Sequence, residues 1–231
     1  MKTILCKNES DWIDAAASPV REAIAAGGVL ALACGQTMAP LWNRLTGLCE
    51  TGGLSFQNAR ILCVTEFCGV PEEKSCRRAL TAGLLEKTDV RPENCYFPDP
   101  DAPGDYDALI ESLGGLDLAV LGLGENCHIG YNEPGTLFDS RTHVQKLTDR
   151  TKRQLLKRGF TEKDMPESAV TMGIRTITGA REILLLAHGA DKAGAVYQTL
   201  YARTTSYIPS AFLQIPLNVT VVADEEAGRE L

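Results

Sequence analysis

The strongest constraint on the fold is the run Leu116-Asp117-Leu118-Ala119-Val120-Leu121-Gly122-Leu123. Beyond Asp117 it is apolar without alternation, the pattern of a strand covered on both faces. Shorter apolar runs are predicted as strands at 29–34, 59–67, 95–97, 182–187 and 219–222, with a further strand at 143–147. Amphipathic stretches at 10–26, 39–49, 73–86, 106–113, 149–158 and 191–201 separate them and read as helices. In the first, Trp12, Ile13, Ala16, Val20 and Ile24 share one side. The segment 168–178 fits either a strand or a helix. Buried strands alternating with amphipathic helices indicate an α/β fold with a mostly parallel sheet. In such sheets ligands bind beyond the carboxyl ends of the strands.

The 231 residues are 44% hydrophobic and 23% charged, enough apolar material for one full core. No linker, repeat or low-complexity stretch divides them, so one domain over 1–231 is expected. The net charge of -7, with no Lys/Arg-rich block, argues against a nucleic-acid partner. No apolar run approaches the roughly 20 residues of a membrane span, and the start Met-Lys-Thr-Ile-Leu-Cys does not read as a signal peptide. Eight scattered cysteines without a C-x-x-C are expected as free, mostly buried thiols in a reducing, cytoplasmic setting. No metal-ligand spacing or redox-cofactor motif stands out, so no metal or cofactor is expected.

Three loops that follow predicted strands carry candidate chemistry. Around Gly35, Gln36 and Thr37, a glycine turn can aim backbone N–H groups and the Thr37 hydroxyl at a phosphate. The segment Thr65-Glu66-Phe67-Cys68-Gly69-Val70-Pro71 places an acid at a strand end. The third and most specific, Gly122 to Gly135, sets Asn126, His128, Asn132 and Glu133 among glycines. His128 can shuttle a proton near neutral pH, and Glu133 can orient its imidazole. The other histidines carry less: His143 reads as a surface or structural residue, and His188 as a strand end for which a place near the site is the minor alternative. Convergence of Lys192 and Arg158 with the Gly35 loop would make a phosphate site.

Together these segments resemble the glucosamine-6-phosphate deaminase family, which includes galactosamine-6-phosphate isomerases and is related to 6-phosphogluconolactonases. The resemblance runs in order from Gly28 to Val222. Residues 33–37 resemble the family's phosphate loop, residues 65–71 its Asp-Glu-Tyr-x-Gly-Leu-Pro segment, and residues 122–135 its Gly-x-Gly-x-Asp-Gly-His-Ile-Ala-Phe-Asn-Glu-Pro segment. The stretches 115–128 and 206–213 look most like the galactosamine branch. The resemblance implies a three-layer α/β/α fold with a Rossmann-like sheet, a sugar-phosphate substrate, amino-sugar metabolism in the cytoplasm, and a homo-oligomer as one possibility. His128 would open the sugar ring by protonating its ring oxygen, and Glu133 would tune it. A base would then move a proton between C2 and C1, and ammonia would leave. Lys192, Arg158 and the Gly35-Gln36-Thr37 loop would hold the 6-phosphate.

Two positions depart from that pattern. The family's proton-transferring Asp falls on Thr65, whose hydroxyl is no general base near pH 7. The Asp before Gly-His falls on Asn126, which keeps the shape but loses the charge, and the intervening Gly is Cys127. Strand alternation would turn Glu66 to the opposite face from Thr65. Glu133, or more remotely Cys68, would then replace the missing base. Three readings follow: an active isomerase/deaminase with a rearranged base, a sugar-phosphate-binding protein of weak activity, or a lactonase-like hydrolase. All predict that Thr65, Glu66, Asn126, His128, Glu133 and Lys192 surround one pocket.

Overall fold

The computed structural model describes residues 1–231. Its spine is a seven-stranded, wholly parallel sheet. In chain order its strands are β1 (Lys2–Cys6), β2 (Val29–Leu32), β3 (Arg60–Cys63), β5 (Cys95–Tyr96), β6 (Leu118–Gly122), β9 (Glu182–Ala187) and β10 (Val219–Asp224). Across the sheet they run β1-β10-β9-β6-β2-β3-β5. A second, antiparallel sheet joins β4 (Thr65–Phe67), β8 (Ser168–Thr171) and β7 (His143–Lys146), in the order β4-β8-β7. The helices are α1 (Glu9–Ala25), α2 (Ala39–Glu50), α3 (Cys76–Gly83), α4 (Pro103–Ser112), α5 (Asp149–Lys157), α6 (Ile174–Thr178) and α7 (Ala193–Tyr201).

Alternation along the strands divides the core into two layers. Leu30 and Leu32 of β2 face one hydrophobic cluster with Ile61, Leu118, Val120 and Leu184. Val29 and Ala31 face another with Leu62, Ala119, Leu121 and Leu185. The three-layer α/β/α expectation therefore holds. Trp12 of α1 is fully buried, and its indole N–H is satisfied by the carbonyls of Ala187 at 3.1 Å and Val222 at 3.3 Å. That contact ties α1 to the carboxyl ends of β9 and β10.

One expectation needs correction, one open reading is resolved and one strand is added. The apolar run at 59–67 is not one strand. It splits at Val64 into β3 and β4, which belong to different sheets. The Val64 N–H bonds the Leu32 carbonyl, whereas its own carbonyl accepts from Met172. The chain thus leaves the parallel sheet at the position where the site begins. The ambiguous segment 168–178 resolves into a strand and a short helix, β8 and α6. Lastly, β1 was not read from the sequence: a mostly exposed edge strand lacks a long apolar run to announce it.

Candidate functional site

A cavity opens at the carboxyl ends of the central strands, where the loops after β2, β3, β6 and β9 meet α5. It is lined by Gly35, Gln36 and Thr37 after β2, Thr65 after β3, His128 after β6 and Lys192 after β9, with Arg158 at the end of α5. The phosphate-binding candidates therefore converge as expected, and Thr65 and His128 join them.

The loop after β6 is shaped around His128. A Cβ on Gly124 would overlap the His128 ring, so only glycine allows the imidazole to lie against the chain there. Gly130 adopts φ 58, and a Cβ on it would fall 2.7 Å from the Thr171 hydroxyl. Cys127 adopts φ 67, a left-handed conformation with a cost of about 1–2 kcal/mol for a residue with a side chain. A buried carboxylate backs the imidazole. Glu133 is 1% exposed and its Oε2 lies 3.9 Å from His128 Nδ1. Glu133 itself accepts from Asn126 Nδ2 at 2.6 Å, from the Thr148 hydroxyl at 3.2 Å and from the Thr148 N–H at 3.3 Å. The Thr151 hydroxyl stands 3.4 Å from Nδ1. With Nδ1 so occupied, Nε2 is the nitrogen without a protein partner. Burial pushes the His128 pKa down to about 4; Glu133 opposes this, and Lys192 and Arg158 reinforce it. The ring is neutral at pH 7.

Asn126 and Glu133 thus stand behind His128 and do not line the cavity. The expectation for Glu66 is also corrected. Its side chain faces away from Thr65, as strand alternation requires, and caps the start of α3. Its carboxylate accepts from the N–H groups of Cys76 at 2.7 Å, Arg77 at 2.8 Å and Phe67 at 2.8 Å. Cys68 likewise lies outside the cavity. His143 bonds the Arg141 carbonyl at 2.8 Å, a structural contact. His188 packs on Trp12 with ring centroids 5.5 Å apart and faces Asp224 at 3.6 Å, outside the cavity lining.

Sequence reasoning missed part of the lining. Thr151, Gln154, Leu155 and Arg158 all face the cavity. Their i, i+3, i+4, i+7 spacing on a predicted helix is the signal that would have found them. The buried Gln154 Nε2 has no protein hydrogen-bond partner. Tyr131, Glu125 and Asp191 complete much of the polar lining. Glu125 faces Arg150 and Lys157 at 3.9 Å each, and Asp191 pairs with Lys192 at 3.3 Å. Cys34 was read only as the end of a strand entering the glycine turn. It lines the cavity beside Thr65, with their Sγ and Oγ1 atoms 3.8 Å apart.

The chain shares this fold and its order of segments with known proteins. A family model described as glucosamine-6-phosphate isomerases/6-phosphogluconolactonase matches residues 8–222, and the chain belongs to that family. It is 38% identical to the glucosamine-6-phosphate deaminase of Bacillus velezensis, over 99% of both chains. It is 40% identical to that of Rhodopirellula baltica, over 87% of this chain and 83% of the relative. A solved monomeric glucosamine-6-phosphate deaminase superposes over 100% of both chains with TM-score 0.95 at 35% identity. The 6-phosphogluconolactonase of Trypanosoma brucei superposes with TM-score 0.78 at 20% identity, over 100% of this chain and 98% of the other, which shows the shared fold.

Proposed function

We propose that this protein converts a hexosamine 6-phosphate to the ketose 6-phosphate and ammonia, with glucosamine 6-phosphate as its substrate. One observation carries the reading: the Gly35–Thr37 turn, Lys192 and Arg158 share a single cavity with a buried, carboxylate-backed His128. The two cations and the turn's N–H groups suit a phosphate dianion. The other end of the cavity then receives the sugar's anomeric centre.

Opening a cyclic hemiacetal requires a proton to leave the anomeric hydroxyl and another to reach the ring oxygen. A neutral imidazole does both in turn, and His128 is neutral at pH 7. Glu133, held by Asn126 and Thr148, steadies the imidazolium that forms between the two transfers. Gln154 offers its unpaired amide N–H to a sugar hydroxyl. The branch-level expectation of a galactosamine substrate gives way to glucosamine, because the full-length relatives above carry the glucosamine name. Free thiols at all eight cysteines accord with a reducing, cytoplasmic setting.

The test is to measure ammonia and ketose phosphate released from glucosamine 6-phosphate and galactosamine 6-phosphate side by side. Turnover of glucosamine 6-phosphate in excess over its C4 epimer supports the reading. Binding of both sugars with turnover of neither would return the protein to the sugar-phosphate-binding class. Hydrolysis of 6-phosphogluconolactone in place of deamination would make it a lactonase.

A further inference from the structure

Moving a proton between C2 and C1 of an open-chain sugar needs a base that touches carbon. The cavity holds five titratable groups other than the phosphate-binding cations and Lys157. Glu125 is drawn toward Arg150 and Lys157, and Asp191 is paired with Lys192 beside the phosphate cations. Burial holds the Tyr131 phenol protonated, well above its ordinary value, so it is a donor. His128 is occupied by the ring-opening step. The remaining group is Cys34.

Its position follows from the topology. β2 lies between β6 and β3 in the sheet. Cys34, just beyond the end of β2, therefore sits between the His128 loop on one side and Thr65 on the other. Around it is a small nest of donors. The Cys63 thiol donates to the Thr65 carbonyl at 3.1 Å, so both cysteines beside Cys34 are gathered around Thr65. Thr65 Oγ1 is 3.8 Å from Cys34 Sγ and 3.5 Å from Cys76 Sγ. Arg158 lines the same cavity. Hydrogen bonds from Cys63 and then Cys76 hold the Cys34 thiol well below its ordinary value against its burial, and Arg158 and Thr65 add to the effect. A hydroxyl beside the sulfur and a guanidinium in the same cavity are the environment of a thiolate.

We propose that the Cys34 thiolate is the base that carries the proton from C2 to C1 of the ring-opened substrate. This rests on the deaminase reading above. Cys34 Sγ takes the C2 proton, and the C2–H electron pair becomes the C1–C2 double bond. The carbonyl π pair moves onto O1, which takes a proton from the 2-ammonium group, giving a neutral enolamine. The Cys34 thiol returns its proton to C1, and the nitrogen lone pair forms the C2–N double bond of an iminium ion. Water adds at C2 and ammonium leaves, so the ketose is formed and the thiolate regenerated with no oxidant or reductant consumed.

The test uses the full chain with glucosamine 6-phosphate. Cys34→Ser keeps the size of the side chain and removes the base. Its kcat is expected to fall about 10²-fold or more, with KM within about threefold of the parent. Cys34→Asp is expected to recover part of that loss, with the acidic limb of kcat/KM moved toward the carboxylate range. In the unmutated chain, inactivation by iodoacetamide should follow the same pH midpoint as the acidic limb of kcat/KM, with alkylation mapped to Cys34 and slowed by the ketose product. That measurement needs no variant to fold. An active parent with an equally active Cys34→Ser variant, or with Cys34 alkylated and turnover retained, overturns the thiolate and leaves the deaminase standing. A parent that turns over neither sugar overturns the deaminase reading and the thiolate with it.

Discussion

The two walls of the cavity solve the same problem in different ways. On the β6 side, a proton-handling group is braced by charge: His128 lies 3.9 Å from a buried carboxylate that is itself fixed by Asn126 and Thr148. On the β2–β3 side no carboxylate is present at all. Thr65 sits among the thiols of Cys34, Cys63 and Cys76, and the one nearby acid, Glu66, is turned to the other face of its strand. The difference is one of charge: one wall carries a buried carboxylate, the other a hydroxyl and thiols. The buried carboxylate of the β6 side is tolerated because Asn126 and Thr148 donate to it. A neutral thiol costs little to bury on an apolar wall, and the thiolate proposed at Cys34 then depends on the Thr65 hydroxyl and the Arg158 guanidinium beside it.

The comparison is most sharply broken by removing the imidazole. His128→Ala should lower kcat by about 10²–10⁴-fold, while binding of the ketose phosphate, read by calorimetry, persists. An unchanged kcat would mean that the charged wall is scaffolding and that the thiol wall works alone. Gly124→Ala should approach the same loss without touching a titratable group, since its Cβ would displace the ring.

The next effect is on stability. His128 has a folded-state pKa near 4, against an ordinary 6.5. Between those values the unfolded chain binds a proton that the folded chain refuses. The contribution is therefore complete above about pH 6.5 and is lost as pH falls through the folded value, amounting to about 3 kcal/mol. Urea midpoints measured from pH 7 to pH 4 should fall, and His128→Gln should flatten that slope. A parallel fall in the variant would assign the acid sensitivity to other groups.

At the phosphate end, Lys192→Met or Arg158→Met should each reduce kcat/KM by about 10–150-fold, the worth of a charge-assisted hydrogen bond of about 1.5–3 kcal/mol. The loss should appear in KM and should vanish when the unphosphorylated hexosamine is compared. If it appears in kcat for both sugars, these cations act at the reacting carbons instead.

The charged wall and the phosphate end were legible in the sequence because each depends on local pattern. Glycines around His128 and a glycine turn after an apolar strand are visible within a few residues. The thiol wall was not legible, because Cys34, Cys63 and Cys76 meet only through the parallel pairing of β2 with β3 and the return of the chain into α3. In one dimension they are three unremarkable apolar residues. The break at Val64 was hidden for a related reason: both halves of 59–67 are buried, so apolarity runs through the point where the strand changes sheets. The α5 face was half visible, its periodicity plain but its direction set by tertiary packing.

The smallest expected effect concerns Glu66, the residue that sequence placed at the site and the fold removed from it. Its carboxylate satisfies three backbone N–H groups, two of them at the open end of α3. Glu66→Ala should cost about 1–2 kcal/mol of stability with kcat close to the parent's, read by urea unfolding and by ammonia release. Its pH signature has the opposite sign to that of His128. Burial holds the Glu66 carboxyl above its ordinary 4.5, against the pull of the three N–H bonds. The folded chain thus keeps that proton more tightly than the unfolded one, and this stabilising share fades as pH rises through the folded value. In the His128→Gln background, adding Glu66→Ala should make stability fall more steeply on acidification, because the share that Glu66 returns at low pH is then missing. A loss of turnover in Glu66→Ala, with stability unchanged, would instead return this carboxylate to the thiol wall and give that side the charge it lacks.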